Sequence, residues 1–199
     1  MATRTTQLAE LQNRLGDTGA SIGLAATLKG YLDHAYKSLY PTFYRTKVAT
    51  TTAGTGPVQD KPAAADYKRI HSIGVRRDTD VTRVRQIRRW QDGDIDAVVP
   101  KLQISGQMLV WAWTEGWDAP AADGTTLTIP IEAEEYSIVR AQISALENVL
   151  TDRVSAEKYF AVQVRQSITE DDVVNTLDAL HVTLRAIAER QPPLPELER

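Results

Sequence analysis

Val173, Leu177, Leu180, Leu184 and Ile187 are spaced by four, three, four and three residues, which puts them on one face of an α-helix and on no face of a strand. Such a stripe buries itself only against another element, so it commits the end of the chain to a packed helical fold. Thr169 is a good N-cap for this helix, and Asp172 three residues on is close to a capping box. Upstream, Val139, Ile143, Leu146 and Leu150 repeat the pattern. Pro130 suits the start of that helix, and Glu132, Glu134 and Glu135 load its first turns with negative charge that the helix dipole favours. A break is expected near Thr151 to Ser155.

The opening of the chain is helical too. Leu8, Leu11 and Leu15 form a short stripe that Gly16 stops. A second helix starts near Asp17 to Ser21, carries Leu24, Leu28, Tyr31, Leu32, Ala35 and Leu39, and ends at Pro41. Between these helical ends the texture changes to β. FYRTKVATTT is rich in β-branched residues, and AGTGPVQDKPAAAD then reads as part of a long loop over 49–66. YKRIHSIGVRR alternates with imperfect phase; VTRVRQIRRW is heavily basic and stops at a QDGD turn. KLQISGQMLVWAW reads as two strands divided at Gly106–Gln107, and TTLTIP as a last short strand. The fold expected is α+β, mainly α: a helical bundle with an inserted small antiparallel β element and an extended C-terminal tail. Its boundaries are one domain over 1–190, with helices at 4–16 and 20–40, a β-rich 42–130 and helices over 131–190, then an arm over 191–199.

A length of 199 residues suits one domain, and 42% hydrophobic residues suffice for a core. The absence of Cys excludes disulfides, thiol catalysis and cysteine-bound metals. The longest apolar run, Met108 to Trp113, is far below the ~18 residues of a membrane span, and the N-terminus lacks a secretory apolar segment. A soluble, non-exported chain with no membrane contact is expected. Charge is uneven: residues 67–114 sum to +4 and residues 115–199 to -9, within a net charge of -3. Two surfaces of opposite sign suit head-to-tail contact between copies.

No catalytic motif is present. His34, His71 and His181 lie on three different expected elements and lack metal-ligand spacing. DGDID opens like a calcium loop but places Ala97 and Gln103 where glycine and glutamate are required. AGTGP lacks the lysine and helix of a phosphate loop. Neither an enzyme nor a cofactor site is expected. Trp111 and Trp113 share a strand face, where packing beneath helices accounts for them better than a ligand platform with Trp117 does. The basic strip Arg76, Arg77, Arg83, Arg85, Arg88 and Arg89, with Lys68 and Arg69 before it and Tyr67 and Trp90 flanking, can face another subunit or DNA.

The order of parts resembles the head-to-tail connector (adaptor) proteins of tailed bacteriophages. The resemblance rests on an RLGD turn (Arg14 to Asp17), LYPTF (Leu39 to Phe43), RRWQDGD, GTTLTIPIEAEE (Gly124 to Glu135) and a terminal helix pair, and it covers most of the chain. It implies a virion protein, in the host cytoplasm during assembly, that forms a ring at the neck, dodecameric to match the portal. The ring would sit between the portal and a head-completion (stopper) or tail-terminator protein, with genomic DNA passing transiently through its lumen. It also makes the C-terminal segment a portal-docking arm, with Leu194 and Leu197 filling pockets while Pro192, Pro193 and Pro195 keep it extended. The alternative reading is a nucleic-acid-binding module that uses the basic strands 67–90.

Overall fold

The computed structural model describes residues 2–16, 25–62, 67–77, 82–92, 96–98, 106–163 and 168–195. The chain divides into two compact units: Met1–Phe43 with Trp117–Pro192, and Tyr44–Gly116 with Pro193–Arg199. Together they make an α+β fold in which the chain's two ends supply the helices and its middle supplies the strands.

The first unit is built from α1 (Arg4–Arg14), α2 (Ala25–Lys37), α3 (Ile131–Thr151), α4 (Arg153–Gln163) and α5 (Glu170–Glu189). α1 starts where Thr3 and Thr6 cap each other: Thr6 N–H donates to Thr3 Oγ1 at 3.2 Å and Thr3 N–H to Thr6 Oγ1 at 2.7 Å. It ends at Gly16, whose φ of 68° is the left-handed conformation that only glycine takes without strain. The expected stripes face one core. Leu8, Leu11 and Leu15 meet Leu28, Leu32, Ala35 and Leu39 from α2 and its exit, and Val139, Ile143 and Leu146 from α3. α5 buries Val173 and Leu177 there, whereas Leu180, Leu184 and Ile187 are only half-buried. Tyr36, off the expected stripe, is also buried; its hydroxyl donates to the Gln7 side chain, and burial raises its pKa.

Asp152 separates α3 from α4, within the expected break. It ends the first helix in an extended conformation and starts the second by accepting from Ser155 N–H at 2.9 Å and Ser155 Oγ at 2.6 Å. TTLTIP is not a strand. Thr126 forms one isolated bridge with Thr3, Leu127 N–H donates to the Ala2 carbonyl at 3.0 Å, and the Leu127 side chain enters the helical core. Its β-branched residues hold an extended segment against the N-terminus of α1. Asp123, just upstream, meets both Arg4 at 3.4 Å and Lys29, while Arg4 also pairs with Asp33.

The second unit holds β1 (Arg45–Thr52), β2 (Val58–Asp60), β3 (Tyr67–Arg76), β4 (Arg85–Gln86), β5 (Gln91–Asp92), β6 (Asp96–Val98) and β7 (Met108–Glu115). All pairings among these strands are antiparallel, in the orders β1-β7-β3-β4 and β2-β6-β5. The long loop expected from residue 49 therefore begins later, because β1 continues to Thr52 and β2 occupies part of the remainder. The imperfect phase of YKRIHSIGVRR is a register shift between Ile70 and Ser72, which leaves Ile70 and Ile73 both buried although three residues apart. β7 is the central strand: β1 and β3 flank it, and the Lys101–Ser105 half of the expected strand pair lies outside the described residues.

Trp111 and Trp113 pack with Ile70, Ile73, Val75, Ile87, Trp90 and Leu109, so their fate is a core made by this unit's own strands and not the underside of helices. Their indole N–H groups are satisfied, Trp111 by Thr51 Oγ1 at 2.7 Å and Trp113 by Glu115 Oε1 at 3.1 Å. The segment after α5 forms neither helix nor strand as far as Pro195.

Candidate functional site

The basic strip is gathered on the second unit by a tight approach between two strands. Gly74, near the end of β3, faces Gln86 of β4. A Cβ on Gly74 would stand 2.3 Å from Val84 Cγ1, so the bare backbone is what lets the Val84 side chain lie across β3. That seating fixes the chain on either side of Val84, and with it Arg83 and Arg85. They join Arg76 and Arg77 from the end of β3, with Val75 and Gln107, around an open cleft of about 460 Å³. Four guanidiniums around one concavity attract polyvalent anions or clustered carboxylates. Arg77, Arg83 and Arg85 are exposed, and Arg76 is half-buried.

The strip does not act as one surface. Arg88 and Arg89 are exposed but do not line this cleft. Trp90 is buried in the β core, so it offers no face on which a base could stack. The second unit has no described helix that could enter a DNA groove.

The C-terminal arm is divided. Pro192 is exposed and Leu194 and Pro195 are half-buried, while Leu197 lies outside the described residues. Pro193 belongs to the second unit, where its carbonyl accepts from the Tyr44 hydroxyl at 2.9 Å. Sequence reasoning did not anticipate this anchor, since nothing in Tyr44 or its neighbours marks it as the partner of a segment about 150 residues away.

The histidines stay apart. His34 is exposed in the last turn of α2, His71 is half-buried in β3, and His181 lies 4.0 Å from Glu147 on the helical unit. Among the described residues, no group of three or more His, Asp or Glu side chains is placed to hold a metal. Of DGDID, the central residues lie outside the described region. A smaller cavity of about 140 Å³ in the helical unit is lined by Leu15, Leu28, Tyr31, Val149 and Tyr159, with Asn148, Ser155 and Lys158 among its polar groups. No described helix is long and apolar enough to cross a membrane.

The acidic counterpart of the cleft is the outer face of α5. Opposite its buried stripe stand Asp171, Val174, Asp178, Val182, Arg185 and Glu189, all exposed. Three carboxylates against one guanidinium leave this face negative, and the two valines make it unusually apolar for solvent contact, with Val174 43% and Val182 67% exposed.

No family model matches the chain, and no curated protein matches it. Among solved structures it is similar to a chain in "Neck of empty GTA particle computed with C6 symmetry", at 18% identity over 71% of this chain and 79% of that chain, with a TM-score of 0.30.

Proposed function

We propose that this protein is a structural subunit of the head-to-tail neck of a tailed phage. In this reading it forms a ring, joins the portal to a stopper or tail-terminator protein, and encloses the passage for genomic DNA. The observation that carries the reading is where the motifs of the resemblance fall. Arg14, Leu15 and Gly16 of RLGD close α1; LYPTF ends the chain's first pass through the helical unit, at Phe43; GTTLTIPIEAEE carries the returning chain into α3. They are the joints of a helical unit that holds a β insertion, which is the architecture the resemblance implies. Arg14 of the first motif and Glu135 of the last form an ion pair, so two of the joints are fastened to each other.

The function requires surfaces, and the molecule offers a cationic cleft on one unit and an anionic helix face on the other. A second reading, sequence-independent nucleic-acid binding, draws on the same cleft. Pull-down from phage lysates with the tagged full-length chain separates the two. Recovery of a portal protein together with untagged copies of this chain supports the neck assignment. Recovery of nucleic acid alone, released by salt, overturns it.

A further inference from the structure

We propose that the outer face of α5 in one copy docks on the arginine cleft of a second copy, in a head-to-tail contact that repeats around the assembly. The inference rests on the ring reading above and names its two surfaces. What favours a protein occupant over a phosphate backbone is charge complementarity joined to the aliphatic surface exposed on the acidic helix face. Beside the cleft, though not lining it, Val84 stands between Arg83 and Arg85 in the chain and is 41% exposed. The helix face carries Val174 and Val182 on either side of Asp178, four residues from each. Asp178 is thus set for a guanidinium at the centre of a patch whose two valines lose water when the cleft's surroundings cover them. A phosphodiester backbone makes no use of exposed valines, and it would meet no exposed described aromatic here.

The geometry of the helix supports the match. Asp171, Asp178, Val182 and Glu189 fall within about 20° of one line along α5, at 100° per residue. The face runs from the first turn of the helix to its last, so it offers a rod and the cleft offers a concavity. The two patches are different surfaces of one chain, so the contact is heterologous and propagates until the rotation closes a ring. It leaves Asp172 free to keep its capping bonds with Thr169.

Charge exchange tests this with full-length protein. One variant carries Asp171→Lys and Asp178→Lys; the other carries Arg77→Glu and Arg85→Glu. Each alone sets like charge against like, and its self-association, read by sedimentation over a concentration series, weakens by about tenfold or more. Mixed, the two variants associate again, because each cleft now meets a face of opposite sign. Circular dichroism melts matching the wild type show that both variants are folded. Because the chain has no cysteine, Val84→Cys and Val182→Cys copies give a second readout: the mixed disulfide forms faster than either like-with-like disulfide. Wild-type association in the single variants, or absence of rescue on mixing, overturns the proposal while portal recovery still upholds the neck reading. Loss of duplex DNA binding in Arg77→Glu/Arg85→Glu with self-association unchanged assigns the cleft to nucleic acid and overturns it as well. Failure of portal recovery by a wild-type chain that does self-associate through these surfaces would sink the neck reading alone.

Discussion

Arg14 grips Glu135 with both prongs of its guanidinium, Nη1 to Oε1 at 2.7 Å and Nη2 to Oε2 at 2.8 Å, and so ties the end of α1 to the first turns of α3 across 121 residues of sequence. Its Nε donates to Glu10 at 2.9 Å in the same plane of contacts. The Glu135 hydrogen bonds raise the Arg14 pKa, so the guanidinium keeps its proton. The side chains are 29% and 42% exposed, which discounts the energy toward that of a surface pair. A double-mutant cycle with Arg14→Ala and Glu135→Ala is expected to give a coupling of about 0.5–1 kcal/mol in thermal or urea unfolding. Arg14→Lys should lose most of it, because an ammonium cannot match both oxygens. A Lys variant as stable as wild type would show that the fork geometry contributes nothing.

The seating of Val84 over Gly74 predicts a compensating pair. Gly74→Ala places a methyl 2.3 Å from Val84 Cγ1, and β3 is held on both sides, by Val110 and Gln86, so Val84 must be the side that gives. The cost expected is about 1–3 kcal/mol. Adding Val84→Ala removes the clash and should restore most of the stability, read through the fluorescence of the buried Trp111 and Trp113. Equal stability of Gly74→Ala and wild type would mean the segment carrying Arg83 and Arg85 is not seated there.

Two helix starts should contribute to acid sensitivity. Asp172 accepts from Thr169 N–H at 2.8 Å and Thr169 Oγ1 at 2.7 Å, and Asp152 accepts from Ser155; these bonds hold both carboxyls below their ordinary pKa. A group with a depressed folded pKa contributes stability that is complete above the unfolded value, about 3.9, and is lost as pH falls through the folded value. The helical signal at 222 nm should therefore melt at progressively lower temperature from about pH 5 downward. Asp172→Asn and Asp152→Asn should lower the melting temperature at pH 7 and flatten that acid limb. Parallel limbs for variant and wild type would remove these caps from the account. Thr169→Ala should cost about 1 kcal/mol at neutral pH.

α1, α2, α3 and α5 were legible in the sequence because they bury leucines or valines at a period no strand shares, whereas α4 buries Tyr159 and exposes Val154; the Thr169 cap was legible because its box is written in adjacent residues. β1 was only half legible, for a physical reason. It is an edge strand with Thr46, Lys47, Val48, Thr50 and Thr52 exposed, and its inward residues, Ala49 and Thr51, are small. Alternation of small with small carries no hydrophobic signal, so residues 49–52 looked like the start of a loop. TTLTIP misled in the opposite sense, since β-branched residues favour extended backbone whether or not a partner strand exists. The cleft was legible as composition and not as geometry. The count of arginines was visible, but their division into four around a cleft and two away from it depends on Gly74, whose role appears only when β3 and β4 are side by side.

The C-terminal segment should be separable from the fold that precedes it. α5 ends with Arg190 as its cap, and the prolines at 192, 193 and 195 withhold the backbone donors that a helix or strand would need. Beyond Gln191, which stays bonded to the last turn of α5, the segment is held by the exposed bond from the Tyr44 hydroxyl to the Pro193 carbonyl, worth about 0.5–1.5 kcal/mol. Tyr44→Phe should thus leave the melting temperature nearly unchanged while speeding proteolytic trimming after residue 190, followed by intact mass. Deletion of residues 191–199 should also preserve the helical spectrum, yet abolish attachment to portal-bearing capsids if Pro192, Leu194, Pro195 and Leu197 form the docking arm. The order of effects matters. Truncated protein that still joins capsids would leave the segment with no role in attachment, and a Tyr44→Phe chain trimmed no faster than wild type would mean that Leu194 and Pro195, half-buried as they are, hold it without the hydroxyl.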